Sequence, residues 1–166
     1  DLGTTRVVLR IVDLATGDAL DETVFDNPQT AVGPDVLARI HHVDTAGGLA
    51  HLTTLIVDGI NRHIETLCSR CQVPPASIHL AAVAGNTAMT HLLLGLNPRW
   101  IIREPYIPAV NRPGVRRATE LGLTMHAGAR VLVFPNVGSY FGGDLIAGIL
   151  YSDMDRREET AILVDV

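Results

Sequence analysis

The sequence predicts an α/β layer domain in which a β-hairpin is followed by alternating helices and strands. Three observations carry that expectation. Two short runs of apolar residues near the start are joined by the turn Thr16-Gly17-Asp18. A later stretch repeats its apolar residues at gaps of three and four. Short apolar runs then alternate with segments of helical pattern, which is the order of a layered α/β core. With 166 residues, 47% hydrophobic and 19% charged, the chain is long enough and apolar enough to bury one.

Taken in order, Arg6 to Asp13 reads as a strand through Val7, Val8, Leu9, Ile11 and Val12, and Ala19 to Asp26 as its hairpin partner. Asn27-Pro28 breaks the hairpin, and Gly33-Pro34-Asp35 leads into a short helix through Ile40. From Gly48 to Cys71, apolar residues at 49, 52, 56, 60, 64, 67 and 71 mark a long amphipathic helix that Val73-Pro74-Pro75 ends. Ile78 to Ala84 is a buried strand running into Gly85-Asn86-Thr87, after which Ala88 to Leu96 is helical. Residues 97–117 carry Pro98, Pro105, Pro108 and Pro113 and read as an ordered excursion. Leu121 and Leu123 fit a short helix end. Arg130 to Pro135 is a short strand, Phe141 to Tyr151 a glycine-rich helix, and Thr160 to Val166 a last strand. The whole of 1–166 reads as a single subdomain.

Composition closes several routes. All 13 basic residues are arginine, so a Walker-type phosphate loop, a Schiff-base enzyme and a lysine general base are excluded together. A net charge of −5 argues against general binding to nucleic acid. No apolar run reaches membrane-helix length and no cationic leader opens the chain, so a cytoplasmic, non-membrane protein is expected. Cys68 and Cys71 are too few for a disulfide scaffold or a cysteine-ligated cluster, and read as small apolar residues at a helix end. The chain starts on Asp1-Leu2-Gly3-Thr4-Thr5 and stops inside an apolar strand pattern, as a segment of a longer protein would.

Asp1-Leu2-Gly3-Thr4-Thr5 before a strand is the chemical centre. Gly3 lets the backbone approach an anion, and the amides and hydroxyls of Thr4 and Thr5 can donate to phosphate oxygens. Asp1 suits Mg2+ held through water. On spacing alone these five residues read equally as an ordinary turn.

The order of elements resembles the first half of the actin, sugar kinase and heat-shock chaperone ATPase fold. That likeness implies that the central first strand lies before Asp1. A closer resemblance rests on Asn27-Pro28-Gln29, Gly33 to Ile40, Val83 to Leu96, Pro108 to Pro113, Pro135-Asn136 and Gly142-Gly143-Asp144. Over nearly its whole length the chain resembles the middle region of the ATP-dependent reductive activators of corrinoid proteins.

The resemblance implies ATP and Mg2+ in the intact protein, and a 2Fe–2S cluster in an upstream domain absent from this segment. It implies a corrinoid protein and the remaining half of the ATPase domain as partners, with a homo-oligomer left open. Its function would be to help return inactive Co(II) corrinoid to Co(I). Carried over residue by residue, Asp1, Gly3, Thr4 and Thr5 match the phosphate motif, and Gly142, Gly143 and Asp144 match the helix that moves on domain closure. Gly85, Asn86 and Thr87 stand where they face phosphate at a helix start, or serve as a plain N-cap. Arg99, Arg103, Arg112, Arg116 and Arg117 form a candidate docking patch for an acidic partner or a corrinoid phosphate, or a solvated loop. The alternative is half of a sugar- or acyl-kinase-like phosphotransferase, or a non-catalytic regulatory relative of the same fold. The segment alone is expected to lack ATPase activity.

Overall fold

The computed structural model describes residues 1–156 and 158–164. Strands β1 (Arg6–Val12) and β2 (Ala19–Asp26) form the expected antiparallel hairpin, in register from Arg6 opposite Asp26, with an irregularity between Ile11 and Val12. Asp13 and Thr16 tie the turn with their side chains, and Gly17 takes the positive φ the turn needs. Asp35 then caps α1 (Val36–Val43) by accepting from the Ala38 amide at 2.8 Å.

Helix α2 (Gly48–Arg70) supplies a larger share of the core than any other element. Leu52, Ile56, Ile60, Ile64 and Leu67 are buried, which is the stripe the spacing predicts. Each fully buried side chain of this kind contributes roughly 1.5–3 kcal/mol relative to leaving it in water. The helix stops because Gln72 takes a left-handed conformation. The Val73 amide then donates to the Cys68 carbonyl at 3.0 Å and the Gln72 amide to that of Ser69 at 3.3 Å. Against α2 lies α3 (Thr87–Leu93), every residue of which is buried. It ends at Leu93 rather than Leu96, because Gly95 turns left-handed and the Leu96 amide folds back onto the His91 carbonyl at 2.9 Å.

The second sheet has the order β3-β5-β4. β3 (Leu80–Val83) runs parallel to β5 (Arg130–Val133), and β4 (Gly114–Arg117) runs antiparallel to β5. β4 corrects the sequence reading, which placed these residues in the excursion. All four are exposed on an edge strand, so no apolar alternation marks them. The rest of the excursion is ordered by side chains: Arg99 and Arg103 both reach Asp44 at the end of α1, at 2.7 and 3.0 Å. A short 3-10 turn (Ala118–Leu121) stands where a helix end is expected, and α4 (Gly143–Tyr151) is the glycine-rich helix.

Over residues 160–164 the expected last strand does not form. Residues 160–164 have no ladder partner among the described residues, and residues 165 and 166 lie outside them. Apolar alternation marks a segment that can pair, not one that has found an edge. Among the described residues no helix is long and apolar enough to cross a membrane.

The two sheets meet through Leu2, whose side chain is buried. It bridges antiparallel to Val7 of β1 and parallel to Gly85 just after β3, and its amide donates to the Ala84 carbonyl at 2.7 Å.

His91 fastens the excursion to α3 from inside. Its Nδ1 lies 2.7 Å from the Thr87 carbonyl, which can only accept, so Nδ1 carries the proton. Nε2 therefore accepts from the Val110 amide at 3.4 Å. Burial pushes the imidazole below its ordinary value, partly offset by the Thr87 bond. The unfolded chain thus binds a proton that the folded one resists, so this contribution is whole above an ordinary imidazole pKa of about 6.5 and is lost as pH falls below it. Urea midpoints should fall between about pH 7.5 and about pH 5.5, and fall less in His91→Gln. Equal slopes for the two proteins would contradict the assignment.

Candidate functional site

The turn Asp1–Thr5 is held from three sides. A side chain at Gly3 would place its Cβ 2.3 Å from the Arg6 carbonyl oxygen, so the tight bend admits glycine alone. The Gly3 carbonyl accepts from Asn27 Nδ2 at 2.9 Å, and the Thr4 carbonyl accepts from Arg39 Nη2 at 2.6 Å. Asn27 and Arg39 are wholly buried. Both carbonyls therefore face the protein interior. In a planar trans peptide the following N–H points the opposite way, which turns the Thr4 and Thr5 amides outward. Among the described residues neither amide meets an acceptor. Thr4 Oγ1 accepts from Asn86 Nδ2 at 2.9 Å, which leaves its own proton to give.

The Gly85–Thr87 cluster packs on this turn, and the Gly142–Asp144 cluster packs in its turn on Gly85 and Asn86. A Cβ at Gly85 would lie 2.7 Å from the Leu2 carbonyl oxygen, so the β3–α3 connection presses directly on the turn. Asn86 is the N-cap of α3, its Oδ1 accepting from the Met89 amide at 2.9 Å while its Nδ2 holds Thr4. The capping and turn-facing readings of Asn86 are thus both realised in one side chain. Thr87 Oγ1 donates to the Gly138 carbonyl at 3.1 Å. Gly142 and Gly143 bring the start of α4 onto the same place: a Cβ on Gly142 would lie 2.6 Å from Asn86 Cα, and the Gly143 amide donates to the Gly85 carbonyl at 2.9 Å. The Asp144 amide shares that carbonyl at 3.3 Å, and its Oδ1 accepts from the Leu145 amide.

The arginines are not gathered round one ligand. Arg99 and Arg103 are engaged by Asp44, whose carboxyl the Arg99 hydrogen bond holds below the usual range. Arg117 pairs with Glu120 at 3.1 Å, and Arg112 and Arg116 are exposed.

Sequence reasoning assigned no role to Asn27, Arg39 or Asn136. For Arg39 a signal existed: it shares the face of α1 with Val36, Ile40 and Val43, an odd place for a cation without a purpose. Asn136 is buried, donates to Asn111 Oδ1 at 2.7 Å, and its own Oδ1 meets no partner among the described residues. Nothing in its sequence context foretold that.

The outward amides and threonine hydroxyls fit a phosphate group. Asp1 offers a single carboxylate, and the described residues hold no cluster of three or more metal-ligating side chains. The thiols do not fit an iron–sulfur cluster. Cys68 is buried, burial and the neighbouring Cys71 push its pKa up, and there is no third cysteine.

Comparison with known proteins gives one consistent answer. The corrinoid activation enzyme RamQ of Eubacterium limosum is 25% identical over 167 residues, taking in all of this chain and 28% of its own length. The solved structure of a reductive activator for corrinoid, iron-sulfur protein superposes with a TM-score of 0.92 at 41% identity, covering 95% of this chain and 25% of that one. The chain thus spans about a quarter of the length of these proteins. The family model described as the RACo middle region matches residues 1–157, and the chain belongs to that family.

Proposed function

We propose that this chain forms one side of the nucleotide cleft of an ATP-dependent reductive activator that helps return Co(II) corrinoid protein to Co(I). The observation that carries the reading is the convergence of the Gly3-Thr4-Thr5 turn, Gly85-Asn86 and the start of α4 on one spot, with two amides facing out. The likeness to RamQ and to the reductive activator supplies the chemistry of the partner.

In this reading Thr4 and Thr5 donate their amides and hydroxyls to phosphate oxygens, and Asp1 orders a water on Mg2+. ATP hydrolysis would supply the free energy for a reduction that is uphill from ordinary donors. The small residues at Gly142 and Gly143 let α4 approach Asn86 and slide as the cleft closes. The iron–sulfur cluster and the second phosphate motif would come from parts of the protein outside this chain. The five arginines remain candidates for partner docking, with Arg112 and Arg116 the most available.

The same reading assigns the domain to the actin-like fold, with a strand preceding Asp1 at the centre of the sheet. Leu2 already sits between β1 and β3. Residues running back from it would continue antiparallel to β1 beside Leu9 and Ile11, and parallel to β3 beside Val83 and Ala81. Those neighbours are apolar and partly buried, and each unpaired backbone group that becomes buried costs about 1–3 kcal/mol.

Two outcomes are expected. In the full-length protein, Asp1→Ala lowers Mg-dependent ATP hydrolysis on the order of 10²-fold and slows the appearance of Co(I) absorbance, while the isolated chain hydrolyses no ATP above buffer. An unchanged rate in the variant would show that the cleft lies elsewhere. Produced alone, the chain should associate with rising concentration and melt low, and a chain carrying the preceding strand should do neither. A sharp monomeric transition above about 65 °C for the chain alone would refute the missing strand.

A further inference from the structure

Arg39 is a buried cation without a counter-charge. Its guanidinium is wholly inside, and every acceptor it meets is neutral: the Gly33 carbonyl at 2.8 Å, Gln29 Oε1 at 3.2 Å, Met89 Sδ at 3.1 Å and the Thr4 carbonyl at 2.6 Å. Among the described residues no carboxylate lies within ion-pairing distance of it. The acidic group that it feels, Asp35, is exposed and engaged in capping α1. Burial lowers the basicity of the guanidinium, yet arginine is so strong a base that it keeps its charge even here. Burying such a charge without a partner is costly, and a structural role would be served better by a paired or apolar side chain.

We infer that Arg39 is a positioning and charge-setting residue for anion binding at the Thr4–Thr5 turn. Its charge stays uncompensated until a polyphosphate occupies the outward amides. This rests on the nucleotide reading above and adds to it. The arrangement has two parts. The Arg39 and Asn27 hydrogen bonds hold the two carbonyls inward, so the two amides are aimed at the ligand before it arrives. The guanidinium charge behind the Thr4–Thr5 peptide lies in a low-dielectric interior, where it acts on an anion across that peptide with little screening. The ligand class this favours is a compact multiply charged anion, such as the phosphate chain of a nucleotide, over a neutral nucleoside.

Asn27 offers a variant that separates this role from a structural one. Asn27 and Arg39 approach the same Met89 sulfur, at 3.8 and 3.1 Å, so Asn27→Asp would put a negative charge into the same buried patch as the guanidinium. That change offsets the buried charge and removes the donor to Gly3.

The test measures binding of sodium tripolyphosphate, ATP and adenosine to the full-length protein and its variants by calorimetry, with thermal midpoints alongside. Asn27→Asp and Arg39→Gln are expected to weaken tripolyphosphate and ATP by about tenfold or more and to leave adenosine unchanged. Arg39→Lys should recover part of the loss. Unchanged tripolyphosphate affinity in both variants, or equal losses for adenosine, would overturn the inference and leave the nucleotide reading standing. Arg39-dependent tripolyphosphate binding without ATP binding would uphold the anion seat and sink the nucleotide reading. Binding of neither by the unaltered protein would sink both.

Discussion

The backbone pairing of Leu2 is the constraint on which the rest of the structure depends. Through it the β1–β2 hairpin and the β3-β5-β4 sheet share a residue, and no other strand pairing joins the two among the described residues. A two-stranded hairpin is marginal in water on its own. Here it gains a third neighbour at Leu2 and a helical floor in α2, where Gly59 lets Pro28 and Phe25 come close. Because Leu2 must lie flat between its two partners, the residues that follow must turn sharply, and Gly3 takes the bend. Because Leu2 also presses on Gly85, the β3–α3 connection must carry no side chain there. The glycines at 3 and 85 are consequences of one pairing.

Around that pairing the core mixes two kinds of interior. Toward α2 and α3 it is apolar and close-packed, led by Leu52, Ile56, Met89 and Leu92. Beneath the turn it is polar, with Asn27, Gln29 and Arg39 all buried. Buried polar groups are tolerated where each finds a partner, and these three do: Asn27 on Gly3, Gln29 on the Leu52 carbonyl, Arg39 on four acceptors. Met89 joins the two regions, since its sulfur accepts from both Asn27 and Arg39 while its stem packs in the core. The polar patch lies directly behind the outward-facing amides.

How much of this could be read from residues alone varied with the physics behind each element. The hairpin, α1, α2, β3, β5 and α4 follow from local periodicity and punctuation, and all appear within a few residues of their expected limits. Failures fell where a strand is defined by its neighbour. β4 is four exposed residues, Gly114 to Arg117, that pair only because β5 presents an edge. Thr160–Val166 has the apolar pattern of a strand, yet residues 160–164 find no ladder. The arginine-rich stretch 97–117 looked like a charged surface, but Arg99 and Arg103 are engaged by a carboxylate on α1 more than fifty residues earlier.

The sequence by itself marked Gly3, Thr4 and Thr5 as a segment with the backbone freedom and donors that an anion would need, because local chemistry is legible locally. It also determined the family, since the Gly85 to Leu96 block and the motifs around it are specific. Only the tertiary structure decided that Asp1–Thr5, Gly85–Thr87 and Gly142–Asp144 meet at one point. Those segments are separated by about eighty and about fifty-five residues, and their meeting depends on approaches so close that a Cβ on Gly85 or Gly142 would fall within 3 Å of the neighbouring backbone, which no periodicity encodes. Only the tertiary structure placed Asn27 and Arg39 behind the turn. A side chain's partner across the fold is set by packing, and packing is a property of the whole chain at once.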